Sequence, residues 1–212
     1  MPKLYGAYRS RATRNLWLAA EMGISLDLIP VIQAYRAGAA AAPMSTTSPG
    51  FLALSPAGAI PVLQDGDLIL SESLAINMYL ARKHGGPLAP ADAVEDAQML
   101  QWALYGVTAL EPAALALMFA FNEGRGEDPE VTNSVATLQR PLTALQAHLS
   151  TRDFMVGGRF TVADINMAEI LRYAQSHPTL LAGFPAIDRW IKACQARPAF
   201  KDMWARRLAE PV

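Results

Sequence analysis

The sequence predicts an α+β fold in which a small mixed sheet with packed helices precedes an all-helical region. Short apolar runs alternate with helix-like stretches up to residue 87, and the Asp65-Gly66 pair between two apolar runs is typical of a β-hairpin. After the glycine and proline cluster at His84–Pro87 no convincing strand pattern follows. We therefore expect a first domain at residues 1–86 and a helical domain at residues 92–212.

The first half has the order β-α-β, a connection, and then β-β-α. Strands are predicted at Lys3–Ala7, Leu26–Val31, Ile60–Leu63 and Leu68–Leu70, and helices at Arg11–Met22 and Ser73–Lys83. The connection Ala37–Pro49 is alanine-rich and is predicted to lie on the surface, with a short helix that closes over a ligand as the alternative.

The second half is predicted to be a bundle of about five helices, because its apolar residues recur at spacings of three and four. These helices are predicted at Asp92–Asn122, Val131–Ser150, Thr161–Gln175, Pro185–Arg197 and Pro198–Leu208. We expect a kink at Pro112, because proline lacks the backbone donor that a helix interior needs.

The composition is that of a globular protein and argues against several classes of function. With 52% hydrophobic residues, 17% charged residues and a net charge of −1, the chain is not disordered and lacks the positive charge of a general nucleic-acid binder. The longest uncharged apolar run, Pro112–Phe121, is about half of the roughly 20 residues that a membrane span needs. A cytoplasmic protein that binds neither nucleic acid nor membrane is therefore expected.

Cysteine and histidine usage predicts neither an internal disulfide nor a metal site. Cys194 is the single cysteine, and we expect a buried thiol on a helix. The histidines His84, His148 and His177 are scattered, and no pair has the spacing of a metal-ligand motif. No metal is expected.

Two serines precede predicted helices, and each has two interpretations. Ser10 and Ser73 are suited to cap their helices, and a helix start of this kind can also hold an anion. Glu72 would then pair with an ammonium, so that Glu72 and Ser73 match the two charges of an α-amino acid. Arg11 and Arg14 place positive charge in a first turn where acidic residues are preferred, which favours an anion site near Ser10.

Two other motifs are interpreted mainly as structural. Ile60-Pro61 is predicted to form a plain turn, and the alternative is a bent proline that turns the polar backbone groups of Ile60 toward a peptide ligand. Thr161 and Asp164 have the spacing of a variant capping box at the start of a helix.

The motifs follow one another in an order that resembles the cytosolic glutathione transferase family. The order is Ser10 at the first strand-to-helix turn, Ser55–Leu63, Asp65-Gly66, Ser71-Glu72-Ser73, the helical Leu74–Leu80, and Phe160–Ile165. The resemblance covers essentially the whole chain. It implies a thioredoxin-like first domain, an all-helical second domain, and glutathione as the co-substrate.

The resemblance also implies roles for individual residues in binding glutathione. Ile60, before a cis Pro61, would bind the cysteinyl part through its backbone, and Glu72 and Ser73 would hold the γ-glutamyl ammonium and carboxylate. Ser10 would stabilise the thiolate, as in serine-type classes such as theta and phi.

The serine-type interpretation has one supporting pattern and one competing set of residues. The phi pattern of a serine followed by threonine and arginine is met by Ser10, Thr13 and Arg14. Other classes use a tyrosine near the end of the first strand, so Tyr5 and Tyr8 are alternatives to Ser10. Strand alternation would place Tyr8 and Ser10 on the same face.

The chain departs from the family pattern around the rest of the glutathione site. Ser55-Pro56 and Ala59 stand where the family often has Asn-Pro and a lysine, and the segment that normally contacts the glycine carboxylate is alanine-rich. Gln33, Arg36 and the Ser45–Ser48 run are the candidates for that contact. A second-substrate pocket is expected between the domains, lined by Tyr8, Tyr105, Met118 and Phe119.

The expected function is an enzyme that activates the glutathione thiol for attack on an apolar electrophile, as in detoxification. The protein would lower the thiol pKa and hold the reactants together. A glutathione-dependent isomerase, dehalogenase or peroxidase is the alternative within enzymes, and a non-catalytic binding module on the same fold is the alternative outside them. A homodimer is expected because family members are usually two-fold dimers.

Overall fold

The computed structural model describes residues 1–36 and 44–211. Within it the chain forms two compact units, one of Met1–Gly86 with Arg197–Val212 and one of Pro87–Ala196. The first unit holds a mixed sheet with helices and the second is helical, which confirms the predicted α+β class. Much of the Ala37–Pro49 connection lies outside the described residues, and the domain boundaries at 1–86 and 92–212 stay a prediction.

The first unit is built on a four-stranded sheet of order β2-β1-β3-β4. Its strands are β1 (Lys3–Gly6), β2 (Asp27–Pro30), β3 (Val62–Asp65) and β4 (Leu68–Ser71). β1 pairs in parallel with β2 and antiparallel with β3, and β3 and β4 form the hairpin that Asp65-Gly66 predicted. Gly66 closes that turn at φ 62°, a conformation that glycine adopts without strain.

Three helices of the first unit follow these strands: α1 (Ala12–Met22), α2 (Pro49–Leu52) and α3 (Ser73–His84). α1 and α3 are close to the predicted ranges and pack against each other, and Arg14 and Asn15 near the start of α1 bind Ser73 at the start of α3. The start of α1 and the start of α3 therefore lie close together.

The second unit contains α4 (Ala93–Tyr105), α5 (Glu111–Asn122), α6 (Pro129–Leu149), α7 (Val162–Leu171) and α8 (Pro185–Gln195). The kink expected at Pro112 stays a prediction; Pro112 is in the first turn of α5, and the turn directly before it, Gly106–Leu110, is π-helical. Proline has no backbone donor and its ring crowds the turn before it, which accounts for irregular backbone at this place in the helix. Gly106 allows the close approach of Ile170, whose Cδ1 atom would lie 2.6 Å from an added Cβ.

The continuous helix Ala93–Asn122 is long and apolar enough to cross a membrane, by length and composition alone. The uncharged run Pro112–Phe121 is only part of this helix, and its length alone did not predict a helix long enough to span a membrane. One such helix is weak evidence for a membrane span, because core helices of soluble proteins meet the same criterion.

The last helix, α9 (Pro198–Ala209), packs on α1 within the first unit. The rings of Trp17 and Phe200 meet edge to face at 4.9 Å, and Arg197 forms a two-pronged ion pair with Glu21, with both N–O distances at 2.7 Å. The sequence indicated this helix but not that it returns to the first unit.

Candidate functional site

The candidate site is centred on the loop Ala7–Arg11, which joins β1 to α1 and contains Ser10. The Ser10 hydroxyl donates to the Ala7 carbonyl oxygen at 2.6 Å, and its oxygen accepts from the Ala12 backbone N–H at 3.0 Å. Ser10 thus satisfies one first-turn donor, although Arg11 is the N-cap residue and caps through no side-chain bond. Because β1 ends at Gly6, strand alternation does not extend to Tyr8 and Ser10 and gives no reason to place them on the same face.

The loop lies next to the Ile60-Pro61 peptide because Gly6 allows a close approach. A Cβ atom on Gly6 would lie 2.9 Å from Cβ of Ala12 and 3.8 Å from Cβ of Pro61. Separations under 3 Å are not tolerated between such atoms, so any larger residue at position 6 would push α1 away from the sheet. Gly6 therefore lies in contact with both the start of α1 and Pro61 and keeps them close together.

The Ile60–Pro61 peptide bond is cis, as the family resemblance implied and the plain-turn interpretation did not. The Ile60 side chain packs against the core cluster of Tyr5, Val31, Phe51 and Val62. The β1–β3 ladder ends with the pair Tyr5 and Val62, so Ile60 lies just beyond it. The side chain of Ile60 is held in the core while its backbone lies outside the ladder.

The start of α3 differs from the cap that the sequence suggested. Ser73 is the first helical residue, Glu72 is the N-cap residue, and no side-chain cap bond is made. The Ser73 Oγ atom instead accepts from Arg14 at 3.1 Å. Tertiary packing brings a buried guanidinium to Ser73, and this contact replaces the local cap that sequence spacing favours.

Glu72 has an unusual backbone conformation for a residue with a side chain. Its φ is 67° and its ψ is 108°, and among the described residues it is the non-glycine residue with positive φ. Such a conformation costs about 1–3 kcal/mol and is often found at ligand sites. The side chain of Glu72 is exposed at the start of α3.

A buried polar network joins α1 to α3 beneath Ser73, and the sequence analysis missed most of it. Asn15 donates from Nδ2 to the Ser73 carbonyl oxygen at 2.8 Å and to Oδ1 of Asn77 at 2.7 Å. Asn77 donates in turn to the Arg14 carbonyl oxygen at 3.1 Å. The available signal was an asparagine on an otherwise apolar face in each of two helices.

Gln33 and Arg36, the candidates for the glycine carboxylate, already have partners within the first unit. The Gln33 amide donates to the Arg9 carbonyl oxygen at 3.0 Å, and Arg36 donates to Gln33 at 3.1 Å and to the Pro211 carbonyl oxygen at 2.6 Å. Gln33 therefore lies beside the loop Ala7–Arg11, and Arg36 lies next to Gln33.

The two competing tyrosines are engaged elsewhere. Tyr5 is buried in the core cluster and its hydroxyl donates to Gln64 at 2.9 Å. The Tyr8 phenol lies beside Arg206, and together with Asp202 it raises the pKa of that guanidinium. Each contact gives the tyrosine hydroxyl a partner within the protein.

The remaining pocket residues, Tyr105, Met118 and Phe119, lie in the second unit. Tyr105 donates from its hydroxyl to the Pro141 carbonyl oxygen at 3.1 Å, and burial raises its pKa. Phe119 is exposed and lines a cavity of about 530 Å³ on α5. A second cavity of about 600 Å³, lined by Trp102, His148 and neighbours, contains none of the predicted residues, and Met118 lines neither.

Comparison with known proteins identifies the family. Residues 4–88 match the family model "Glutathione S-transferase, N-terminal domain" and residues 109–198 match "Glutathione S-transferase, C-terminal domain". Glutathione S-transferase 3 of Zea mays is 34% identical, with 94% of this chain and 91% of that protein covered. Elongation factor 1-gamma of Equus caballus is 31% identical over 73% of this chain but 36% of its own length.

Solved structures agree with the sequence relatives. Glutathione transferase F7 of Populus trichocarpa is 27% identical with a TM-score of 0.82, covering 98% of this chain and 99% of that one. Glutathione S-transferase-I, solved with bound lactoylglutathione, is 26% identical with a TM-score of 0.81, covering 97% and 99%. The chain therefore belongs to the cytosolic glutathione transferase family of enzymes.

Proposed function

We propose that this glutathione transferase is of the serine type and that the Ser10 hydroxyl donates a hydrogen bond to the glutathione thiolate. The observation that carries the proposal is the position of Ser10, at the start of α1 and joined through Gly6 to the cis Ile60-Pro61 peptide. A sulfur bound beside Pro61 would meet a hydroxyl and the positive end of a helix, and both favour the anion.

The present hydrogen bonds of Ser10 suit this role. Its oxygen accepts from the Ala12 N–H, which leaves the hydroxyl hydrogen as the group that can turn from the Ala7 carbonyl to a sulfur. Accepting one hydrogen bond strengthens the donor that is part of the same chain of bonds. The oxygen can therefore stay in place while only its hydrogen reorients.

The chemistry needs only a modest contribution from the protein. A free thiol has a pKa of about 8.5, and lowering it by about two units corresponds to roughly 2.7 kcal/mol in favour of the thiolate. The thiol proton leaves to solvent, the sulfur lone pair forms the new S–C bond, and the electrophile loses a leaving group or takes up a proton. Ser10 holds the thiolate and is not consumed.

The rest of glutathione is assigned by charge and backbone geometry. The Ile60 N–H and C=O would pair with the cysteinyl backbone as a neighbouring strand does. The first-turn N–H groups of α3 and the Ser73 hydroxyl would bind the γ-glutamyl carboxylate, with Glu72 on the ammonium. Arg14 supports this assignment, because its buried guanidinium occupies a lone pair of Ser73 and leaves the hydroxyl hydrogen available to an anion.

Gln33 and Arg36 remain our candidates for the glycine carboxylate, and the second-substrate residues remain a prediction. Tyr8 belongs to the first unit, whereas Tyr105, Met118 and Phe119 belong to the second.

Replacing Ser10 by alanine tests the proposal. We expect at least a tenfold loss of kcat/KM with a general aromatic electrophile, about 1.4 kcal/mol of transition-state stabilisation. We also expect a rise in the pKa of the bound thiol, measured by ultraviolet absorbance of the thiolate against pH. Tyr5→Phe and Tyr8→Phe are the matched controls, and an equal effect in either would move the role from Ser10 to that tyrosine.

The alternatives are separable by their reactions. The match to elongation factor 1-gamma favours a test of a non-catalytic module, although the curated transferases cover more of this chain. Retention on glutathione-agarose without turnover of any electrophile would support that module. Turnover of an isomerisation, dehalogenation or peroxide substrate at a higher kcat/KM than conjugation would support the other enzymes.

We also propose a cytoplasmic homodimer. Leu100 and Leu104 are 45% and 55% exposed and lie one turn apart on α4, and an apolar patch of this kind can mark an interface between copies. Sedimentation of the wild type and of a Leu100→Lys, Leu104→Lys variant measures whether this face is covered by a second copy. A monomeric wild type would remove the proposal.

A further inference from the structure

The segment that follows α9 is bound to the loop Ala7–Arg11 by several hydrogen bonds. The Glu210 carboxylate accepts from the Tyr8 N–H at 2.9 Å with one oxygen and from the Arg9 N–H at 2.7 Å with the other. Arg9 donates back from Nε to the Glu210 carbonyl oxygen at 2.7 Å. One side chain thus binds two consecutive backbone donors immediately before Ser10.

Arg207, in the last turn of α9, adds a further hydrogen bond to the same loop. Arg207 donates to the Tyr8 carbonyl oxygen at 2.6 Å, so both polar backbone groups of Tyr8 are bound by the end of α9. Gln33 binds the Arg9 carbonyl oxygen from the other side. Side chains from outside the loop, those of Glu210, Arg207 and Gln33, therefore bind its backbone.

The position of Glu210 follows from the packing of α9 on α1. Arg197 at the beginning of α9 pairs with Glu21 near the end of α1, and Phe200 meets Trp17 further along. The two helices therefore run antiparallel, and the end of α9 must meet the residues that precede α1. About 200 residues of chain separate the partners, so no local sequence pattern reports this contact.

The charge of Glu210 is unfavourable for the helix it ends. Glu210 is the C-cap residue of α9, and a carboxylate there faces the negative end of the helix dipole. Arg206 and Arg207 in the last turn have the favourable sign. The Glu210 carboxylate thus binds the Tyr8 and Arg9 amides at a position where its charge does not stabilise α9.

We propose that Glu210 is a positioning residue for thiol activation: it holds Tyr8 and Arg9 so that the Ser10 hydroxyl is aimed at the glutathione sulfur. This inference rests on the proposed role of Ser10. Two charge-assisted hydrogen bonds to adjacent amides restrict the loop more than neutral bonds do. A loop held in this way needs no reorganisation when glutathione binds, which is the condition for effective electrostatic stabilisation.

Positioning and simple electrostatics make opposite predictions for the thiol. A carboxylate near a thiolate disfavours the thiolate, so loss of Glu210 by charge alone would lower the thiol pKa. If Glu210 acts through Ser10, its loss leaves the hydroxyl less well placed and raises the thiol pKa. The direction of the shift therefore separates the two.

The experiment is a double-substitution cycle on the full chain with Glu210→Ala, Ser10→Ala and both together. For Glu210→Ala we expect kcat/KM to fall about tenfold and the bound-thiol pKa to rise by about one unit, with the KM for glutathione changed less than threefold. In the Ser10→Ala background the same substitution should change the thiol pKa little, because the group it positions is gone. Glu210→Gln keeps one acceptor and should be intermediate.

Asp67→Asn is the matched control, since it removes a carboxylate from the exposed turn of the hairpin in the same unit. Urea unfolding of each variant separates lost activity from lost folding. A lowered thiol pKa in Glu210→Ala, or equal shifts with and without Ser10, would overturn the positioning role. An unchanged thiol pKa in Ser10→Ala would instead remove the proposed function of Ser10, whatever Glu210 does.

Discussion

Two helices of this protein begin with a hydroxyl residue close to a carboxylate, and they use these groups in opposite ways. At the start of α7, Thr161 accepts from the Ala163 N–H and Asp164 accepts from the Thr161 N–H, which forms a complete capping box. At the start of α3, Glu72 and Ser73 make no side-chain cap bond. The side chains of Thr161 and Asp164 cap the start of α7, which we call a closed start. The start of α3 has no side-chain cap, and we call it an open start.

The difference arises from the order of the two residues. At α7 the carboxylate comes three residues after the hydroxyl, so it reaches back to the N-cap backbone. At α3 the Glu72 carboxylate comes directly before the Ser73 hydroxyl, so it does not have the spacing of a capping box. Glu72 also has a positive φ. A helix start that its own side chains do not cap keeps donors for another acceptor, and in this family the acceptor we propose is glutathione.

The largest expected effect on the free energy of unfolding comes from removing the carboxylate that caps the start of α7. Asp164 accepts from the Met155 N–H, the Thr161 N–H and the Trp190 indole N–H, each at 2.9 Å, and it is fully buried. Asp164→Ala leaves these donors without a partner, so we expect a loss of about 3–5 kcal/mol in the free energy of unfolding. Urea unfolding measures it, with the exposed Asp153→Ala as control.

A loss below about 1 kcal/mol in Asp164→Ala would mean that the capping box is not what holds this start. Glutathione affinity of the folded fraction should stay within twofold, since Asp164 belongs to the helical unit and not to the proposed site.

The next effect is a pH dependence at the same carboxylate. Burial raises the pKa of Asp164 to about 6 from 3.8, because desolvation outweighs the donors around it. The folded state then keeps this proton where the unfolded state has lost it, so the associated stability is present below pH 4 and is lost as the pH rises to about 6. Relative to Asp164→Asn, the wild type should lose roughly 2–3 kcal/mol across that window.

Urea unfolding of both proteins between pH 4 and pH 7 checks this dependence. A difference between wild type and Asp164→Asn that stays constant, or that moves in favour of the wild type as the pH rises, would show that the folded carboxyl is ionised throughout this range.

A third prediction concerns the open start, where function and stability should oppose each other. Glu72→Gly relieves the positive φ, so we expect the free energy of unfolding to rise by about 1 kcal/mol. It also removes the proposed partner of the γ-glutamyl ammonium, so the Kd for glutathione should rise about tenfold, measured by calorimetry. Glu72→Gln is the control that keeps the strain and should weaken binding without raising stability.

If Glu72→Gly weakened binding and destabilised the fold together, the contrast between an open start and a closed start would no longer hold.

The smallest effect is expected at α4, a second closed start. Asp92 accepts at 2.9 Å from both the Val94 N–H and the Glu95 N–H. Asp92→Ala should cost about 1 kcal/mol, because an exposed cap contributes less than a buried one. Asp92→Asn keeps an acceptor and should lose less than half of that, and thermal unfolding of both variants decides the point.

The sequence predicted those parts of the fold that local spacing controls. The Asp65-Gly66 hairpin, the ranges of α1 and α3 and the Thr161–Asp164 box are set by residues within a few positions of one another. The expected cap at Ser73 failed because Arg14 reaches it from another helix. Such a contact changes no periodicity in either segment, so a local pattern cannot report it.

The candidate site shows the same division. The order of motifs pointed to Ser10, Ile60, Glu72 and Ser73, and these assignments stay predictions until they are tested. The buried bonds of Asn15 and Asn77 had only a weak signal, since a polar residue on an apolar face does not name its partner. Glu210 had no signal at all.

What the sequence by itself determined is the kind of each element and the family of the chain, because periodicity, turn residues and motif order are properties of neighbouring positions. Only the tertiary structure decided that α9 returns to α1, that Arg14 reaches Ser73, and that Glu210 binds the amides before Ser10. Those contacts join residues about 60 and 200 positions apart, and they depend on packing and on satisfying buried polar groups, which act through space and not along the chain.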